Sequence, residues 1–494
     1  MNKYVCGIDN GGTAVKCALF DLDGNEIAVA SAPTPLVIPS PGFEERDMDV
    51  LWRANADVIR RCLEKAGISG NEVIGIGCTG HGKGLYLTEE NGKPLRNAIA
   101  STDSRAVGYI KKWAMDGTLD EMAKLTLHNP IACQPITLLA WLKDNEPDNY
   151  AKVGWIFEAK DYIRFRLTGK ALAEMTDYSG SGMMNLRTQK FDRRIFELAG
   201  VEEMFGCLPE LCNSSDNCGF VTPDIAEETG LAEGTPVSGG MFDIDACAIA
   251  AGVTDGSDIC MVTGTWSINE YISDAPVICG TNKNSMYCIP GKYLIEESSA
   301  TSAGNLEWFV SIMMGKEAEE AKNGGRPVYA VMDDMVASTQ PEDSVAVFVP
   351  FLYGTNSEAR SHAVIDGLDL SVSRAQLLRA VFEGVAFSHY DHYLRLIGNR
   401  QAPSAIRMVG GAARSAVWSQ MFADVTGCPV RTVSAKEPGA FGAAMSAAVA
   451  SGYYSDYVEA AGKMVKFRKE ISPDLKLHDK YLAKFEKYKA VAEV

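Results

Sequence analysis

The chain has 494 residues, of which 46% are hydrophobic and 22% charged, an ordinary globular composition that predicts two to four domains and excludes collagen-like, disordered and disulfide-scaffold classes. Its 47 Lys and Arg stand against 64 Asp and Glu, a net charge of −17. So acidic a surface repels phosphate backbones and anionic lipid, which argues against nucleic acid and membrane as partners, although backbone N–H groups and a metal ion can still hold an anion locally.

The opening residues predict strands at Tyr4–Asp9 and Val15–Phe20 around the turn Asn10-Gly11-Gly12-Thr13, and a third at Glu26–Ala30 after Asp21–Asn25. No signal-peptide core precedes Tyr4, and no run reaches the ~20 apolar residues of a membrane helix. Thirteen cysteines, an odd number scattered through apolar segments, suit free thiols in a cytoplasmic protein. Cys207, Cys212 and Cys218 lack a C-x-x-C pair and make a poor metal site.

Asp49 to Ala66 carries apolar residues at helical spacing, and Val73–Gly77 is a buried-strand run ending in Thr79-Gly80-His81-Gly82-Lys83-Gly84. Near residue 258 the opening pattern returns: a strand over Asp258–Thr263, a Gly264-Thr265 turn, and a strand over Trp266–Ile272. Two strand–glycine turn–strand units predict two domains on one plan, 1–253 and 254–494, facing a shared cleft, with a hinge at the acidic turn 253–257. Later come a strand ending at Gly410-Gly411, a helix stopped at Gly427, an Ala- and Gly-rich stretch over 437–450 suited to close backbone packing, and a Lys-rich helix from Asp474, read as a solvated face.

Both glycine turns can aim N–H groups at phosphate oxygens, with the Thr13 hydroxyl, Thr265 and Lys16 as further donors. Asp9, at a strand end, suits a hydrated Mg²⁺. Asp243, after Gly239-Gly240, opens a small-residue helix as either a general base or, like Asp245, a plain cap.

The strings YVCGIDNGGTAVKCALFD, TPVSGGMFDIDACAIAAGV, MVTGTWS, MVGGAARSAVWSQMFADVTGCPV and EPGAFGAAMSAAVASG together resemble the FGGY carbohydrate kinases, in family order over residues 4–452. The resemblance implies an α/β fold of two ribonuclease-H-like (actin-like ATPase) domains with an interdomain cleft. It implies ATP and Mg²⁺, with Asp243 as base and Asp9 supporting the metal. Gly11, Gly12, Thr13, Lys16, Gly264 and Thr265 would surround the phosphates, and Gly410, Gly411 and Ser415 would border the adenosine. The family usually has Thr where this chain has Gly12.

The loop over 79–84, with FEERDMDVLW, STDSRA, TSAGNLEWF and FLYGTNS, resembles the L-xylulose kinase subgroup. That resemblance places His81, Gly82, Lys83 and Asp103 by the sugar. His81 is equally readable as a loop brace, and Asp103 as an internal partner of Arg105. His128, His362, His389, His392 and His478 match no motif and are read as structural. The expected activity is phosphorylation of a small ketose or polyol, L-xylulose first. D-ribulose, erythritol, xylitol and D-xylulose are alternatives, and a sugar-sensing or filament-forming ATPase is the non-enzyme alternative. Oligomeric state is left open, a homodimer included.

Overall fold

The computed structural model describes residues 3–264, 266–279, 281–354, 362–398 and 400–493. Two seven-stranded sheets dominate it. In the first, strand Tyr4–Asn10 sits between antiparallel Ala14–Asp21 and parallel Val73–Gly80, and Glu26–Pro33 completes the meander read from the sequence. In the second, Ile259–Thr263 sits between antiparallel Ser267–Ser273 and parallel Ile406–Gly410. The shared plan is thus a hairpin flanked by a parallel strand that ends in glycine, at Gly80 in one sheet and Gly410 in the other.

Helix Met48–Ala66 covers the first meander with Leu51, Trp52, Val58, Ile59 and Cys62 buried. Its start is set by the Asp47 carboxylate, which accepts the Asp49 and Val50 N–H groups, and its end by Gly67 at φ 65°. The predicted stop at Gly427 is also met: that residue takes φ 66° after helix Ala416–Thr426.

The Ala- and Gly-rich stretch forms helix Pro438–Ala450, which packs across the first sheet rather than the second. A Cβ on Gly7 would stand 1.8 Å from the Ala440 carbonyl oxygen, and one on Gly77 2.1 Å from that of Ala443. Gly442 of the helix meets Ala246 in the same way, at 2.3 Å, so helices Pro438–Ala450 and Asp243–Ala250 are in near-backbone contact. The Ser446 hydroxyl donates to the Ser214 carbonyl at 2.6 Å.

The terminal helix Leu475–Ala492 corrects one expectation. It is not merely a solvated face: Tyr481, Phe485 and Tyr488 are buried against Phe387, and the Lys484 ammonium lies 2.6 Å from Glu383. Its lysines snorkel from an amphipathic helix whose aromatic stripe is core. Among the described residues no helix is long and apolar enough to cross a membrane.

Overpacking generally costs about 1–3 kcal/mol, and more where backbone cannot yield. Gly7→Ala is therefore expected to destabilise the protein by about 3 kcal/mol in urea unfolding, whereas Gly12→Ala, whose Cβ would meet nothing within 4 Å, is expected to stay within about 0.5 kcal/mol.

Candidate active site

Gly11, Gly12 and Thr13 join the first two strands, as read from the sequence. Buried Arg46 donates to the Gly12 carbonyl at 2.6 Å and to that of Gly11 at 3.4 Å. This occupies two carbonyl oxygens that would otherwise repel a phosphate. Asn10, also buried, donates to the Thr79 carbonyl and accepts from Asn55 at 2.8 Å, tying the turn to the parallel strand. Neither Arg46 nor Asn10 was singled out from the sequence, although both stand inside strings that carried the family resemblance. Gly12 has an ordinary φ and open space, so the Thr usual in the family would fit there.

Asp9 is partly accessible at the end of its strand, and a Cβ on Gly439 would come 2.5 Å from its Oδ2. Burial, opposed by Lys16 and reinforced by Glu437, pushes its carboxyl up to about 6. The Lys16 ammonium is 2.6 Å from Glu437, which precedes helix Pro438–Ala450. Lys16 thus bridges to the second half of the chain.

In the second unit the Gly264 carbonyl accepts the Ala303 N–H at 2.9 Å. Thr265 lies outside the described residues. Gly410 takes φ 95°, and a Cβ there would sit 2.6 Å from the Thr263 carbonyl oxygen, so only glycine suits. Gly411 donates to the Thr263 carbonyl at 2.8 Å, and the Thr263 hydroxyl bridges Val409 to Ala412. Ser415 caps helix Ala416–Thr426 by accepting the Trp418 N–H, and its hydroxyl donates to Asp333 at 2.7 Å.

Asp243 opens helix Asp243–Ala250 and keeps accessible surface, while its neighbours Ile244 and Asp245 are buried. Burial, then the charges of Asp9 and Asp177, push its carboxyl up to about 8, against the pull of Lys83. Asp245 is braced instead: its Oδ1 accepts the Cys288 N–H at 2.9 Å.

Lys83 takes φ 70°, and its ammonium stands 5.3 Å from the Phe242 ring centroid, beside Asp243. Burial alone would lower it, but Glu296, Cys133, Glu158 and Asp243 hold it above its ordinary value. Gly82 is wedged between Asp177 and the Phe242 ring, which leaves no room for a side chain. Among the sequence candidates, Asp9, Lys83 and Asp243 therefore come together.

His81 and Asp103 serve as braces. His81 is neutral, lowered to about 3 by burial and then by Arg46, and its Nε2 pairs with the Tyr86 hydroxyl at 3.2 Å. The Asp103 side chain is 0% exposed; it accepts from the Glu44 N–H at 2.7 Å and from Arg105 at 2.9 Å. Of its two readings from the sequence, this is the internal partner of Arg105: the carboxylate is taken up by an arginine and two amides.

His389 and His478 are structural, bonded to Asn269 and Ser302 and to the Asp424 carbonyl. His128 is held as well, its Nε2 pairing with Gln134 at 2.9 Å, and it is neutral, lowered to about 4 by burial and then by Lys83 and Lys283. The second half of the chain contributes Glu296 and Lys283. The Lys283 ammonium is 3.4 Å from Glu296 and donates to Ser298 at 2.8 Å. Although burial opposes it, Lys283 and Lys83 hold Glu296 at about 2. Neither residue carried a motif in the sequence.

A family profile described as the FGGY family of carbohydrate kinases, N-terminal domain, matches residues 4–250, and the corresponding C-terminal profile matches 259–451. The chain belongs to the FGGY family of carbohydrate kinases. It is 35% identical over 495 residues to the L-xylulose/3-keto-L-gulonate kinase of Escherichia coli K12, covering 99% of this chain and 96% of that protein. It is also 35% identical to a probable L-xylulose kinase of Pasteurella multocida, covering 99% and 98%. The crystal structure of xylulose kinase from Rhodospirillum rubrum superposes with a TM-score of 0.87 at 25% identity, covering 99% of this chain and 98% of that one. The two FGGY sheets are therefore those of a two-domain, ribonuclease-H-like sugar kinase, and the chain is a carbohydrate kinase.

Both hydrogen bonds of Arg46 go to the first turn. Arg46→Met is expected to raise the KM for ATP about tenfold and leave the KM for sugar within about twofold, measured by coupled ADP release.

Proposed function

We propose that this FGGY kinase transfers the γ-phosphoryl group of ATP to a hydroxyl of a small ketose, L-xylulose or a close relative. The observation that carries this reading is Asp243 itself: a carboxyl heading a helix, accessible, flanked by Asp9 and Lys83, and pushed up to about 8. A general base works best with a pKa near working pH. Asp243 takes the proton of the sugar hydroxyl, whose oxygen bonds to the γ-phosphorus in line as the bond to the β–γ bridging oxygen breaks, releasing ADP. Lys83 orients the ketose, and the neutral His128, Lys283 and Glu296 border the same space.

Mg²⁺ fits this donor set as an ion carried mainly by the nucleotide. No group of three or more His, Cys, Asp or Glu among the described residues could cage a metal, and Asp9 supplies the single carboxylate that a hydrated Mg²⁺ on a triphosphate uses. When bound, Mg²⁺ neutralises phosphate charge. The phosphates themselves rest on the N–H groups of Gly11, Gly12, Thr13 and Gly264, with Gly410, Gly411 and Ser415 beside the adenosine. We place the division between the halves at 253/254, with closure over both substrates excluding water.

A second reading, a sugar acid, is favoured by one observation: Lys83 and Lys283 set two ammonium groups around one carboxylate, which suits an anionic substrate. A relative of this chain bears 3-keto-L-gulonate in its name.

An ATP-consumption screen over C4–C6 ketoses, polyols and keto-acids is expected to give the highest kcat/KM with L-xylulose. ADP production that no sugar stimulates would instead favour an ATPase. Asp243→Asn is expected to lower kcat by about 10²–10⁴-fold while ATP still binds. Because the free carboxyl holds its proton below about 8, kcat/KM is expected to rise with pH through about 8 in native enzyme.

A further inference from the structure

Behind the Lys83 loop lies a cluster of buried charge that no step of the reaction uses. Helix Ala159–Thr168 carries Lys160, Asp161 and Arg164, all fully buried. The Lys160 ammonium is 2.8 Å from Asp161, 3.1 Å from Glu174 and 3.5 Å from Asp177, and Arg164 is 2.7 Å from Asp161. Glu158, one residue before the helix, is as deeply buried, and its Oε2 accepts the main-chain N–H of Lys83 at 2.6 Å. Two cations thus face four carboxyls.

Three oxygens of the cluster, Glu158 Oε1 and both oxygens of Asp177, have no hydrogen-bond donor, although Lys160 stands 3.5 Å from Asp177 Oδ2. Carboxylate oxygens without donors in a dry interior are costly, and two carboxylates side by side repel. One proton on Glu158 Oε1, donated to Asp177, supplies the missing bond and removes one surplus charge. The electrostatics agree in direction: burial, then the charge of Asp177, pushes the Glu158 carboxyl well above its ordinary range.

The pair touches both parts of the site. Lys83 is a non-glycine residue at φ 70°, a conformation that persists only where its surroundings impose it, and Glu158 holds its amide. A Cβ on Gly82 would meet Asp177 Oδ1 at 2.6 Å and the Phe242 ring at 2.7 Å. The Phe242 N–H donates to the Thr176 hydroxyl at 2.9 Å, and that hydroxyl donates to Glu174 at 2.7 Å. The sugar loop and the residue before Asp243 therefore rest on one frame.

We propose that Glu158 and Asp177 form a proton-sharing carboxyl pair that positions Lys83 against Asp243. Glu158 is a positioning residue and touches neither sugar nor nucleotide. The role rests on Lys83 facing the sugar, but the pairing itself does not.

Two variants test it. In Glu158→Gln the amide oxygen accepts from Lys83 and the NH₂ donates to Asp177, so the pair survives; in Glu158→Met it is lost at similar volume. Acylation of Lys83 by an amine-reactive ester, read by peptide mass spectrometry, needs no sugar. It is expected to stay within about twofold of native in Glu158→Gln and to quicken about fivefold or more in Glu158→Met. With a turned-over sugar, Glu158→Met is expected to raise the sugar KM about tenfold, with the ATP KM unchanged and Glu158→Gln near native. Should no sugar turn over, the acylation arm still decides. Glu158→Gln behaving like Glu158→Met, or Glu158→Met labelling like native, overturns the proposal. If Glu158→Met does not fold, native behaviour of Glu158→Gln supports the shared proton and its loss overturns it.

Discussion

The contact on which this kinase most depends is one from which side chains are missing. Gly7 and Gly77, on adjacent parallel strands, let the carbonyls of Ala440 and Ala443 approach to distances that any Cβ would forbid. Helix Pro438–Ala450 is thereby seated on the first sheet with its amino end over the strand ends, where Gly439 abuts Asp9 and Glu437 reaches Lys16. Gly442 repeats the device against Ala246 and so fixes helix Asp243–Ala250 and the carboxylate at its head. Backbone packed on backbone cannot repack by rotamer changes, which gives the Asp243 carboxyl a rigid mount.

On that mount, buried carboxyls outnumber cations. Asp9 and Asp243 are both raised by burial, and behind them Glu158 and Asp177 lack donors for three oxygens. Such a site has little affinity for an anion until backbone amides offset the repulsion. Arg46 serves that end by engaging the carbonyls of Gly11 and Gly12. In the proposed reading, turn geometry and not a basic surface holds a triphosphate on a chain of net charge −17.

Much of this was legible in sequence where the signal is local. The hairpin over 4–21, the helix after Asp47 and the glycine at 410 follow from turn chemistry, capping and strand pattern. The reading that failed is the terminal helix, whose aromatic stripe packs on Phe387. The pairings of Lys16 with Glu437 and of Asp103 with the Glu44 amide are likewise made only by the fold. Each of these partners is distant in sequence, and no periodicity reports it.

The sequence by itself determined the two strand–turn–strand units, the glycines that only close approach explains, and the carboxylate at 243. These depend on interactions among near neighbours, and such interactions are written in order along the chain. The tertiary structure alone decided that Glu296 and Lys283 stand opposite Lys83, that Glu158 holds the Lys83 amide, and that the 438–450 helix crosses to the other half's sheet. A charge reveals its role only when its counter-charge and its degree of burial are known, and both are properties of the packed molecule.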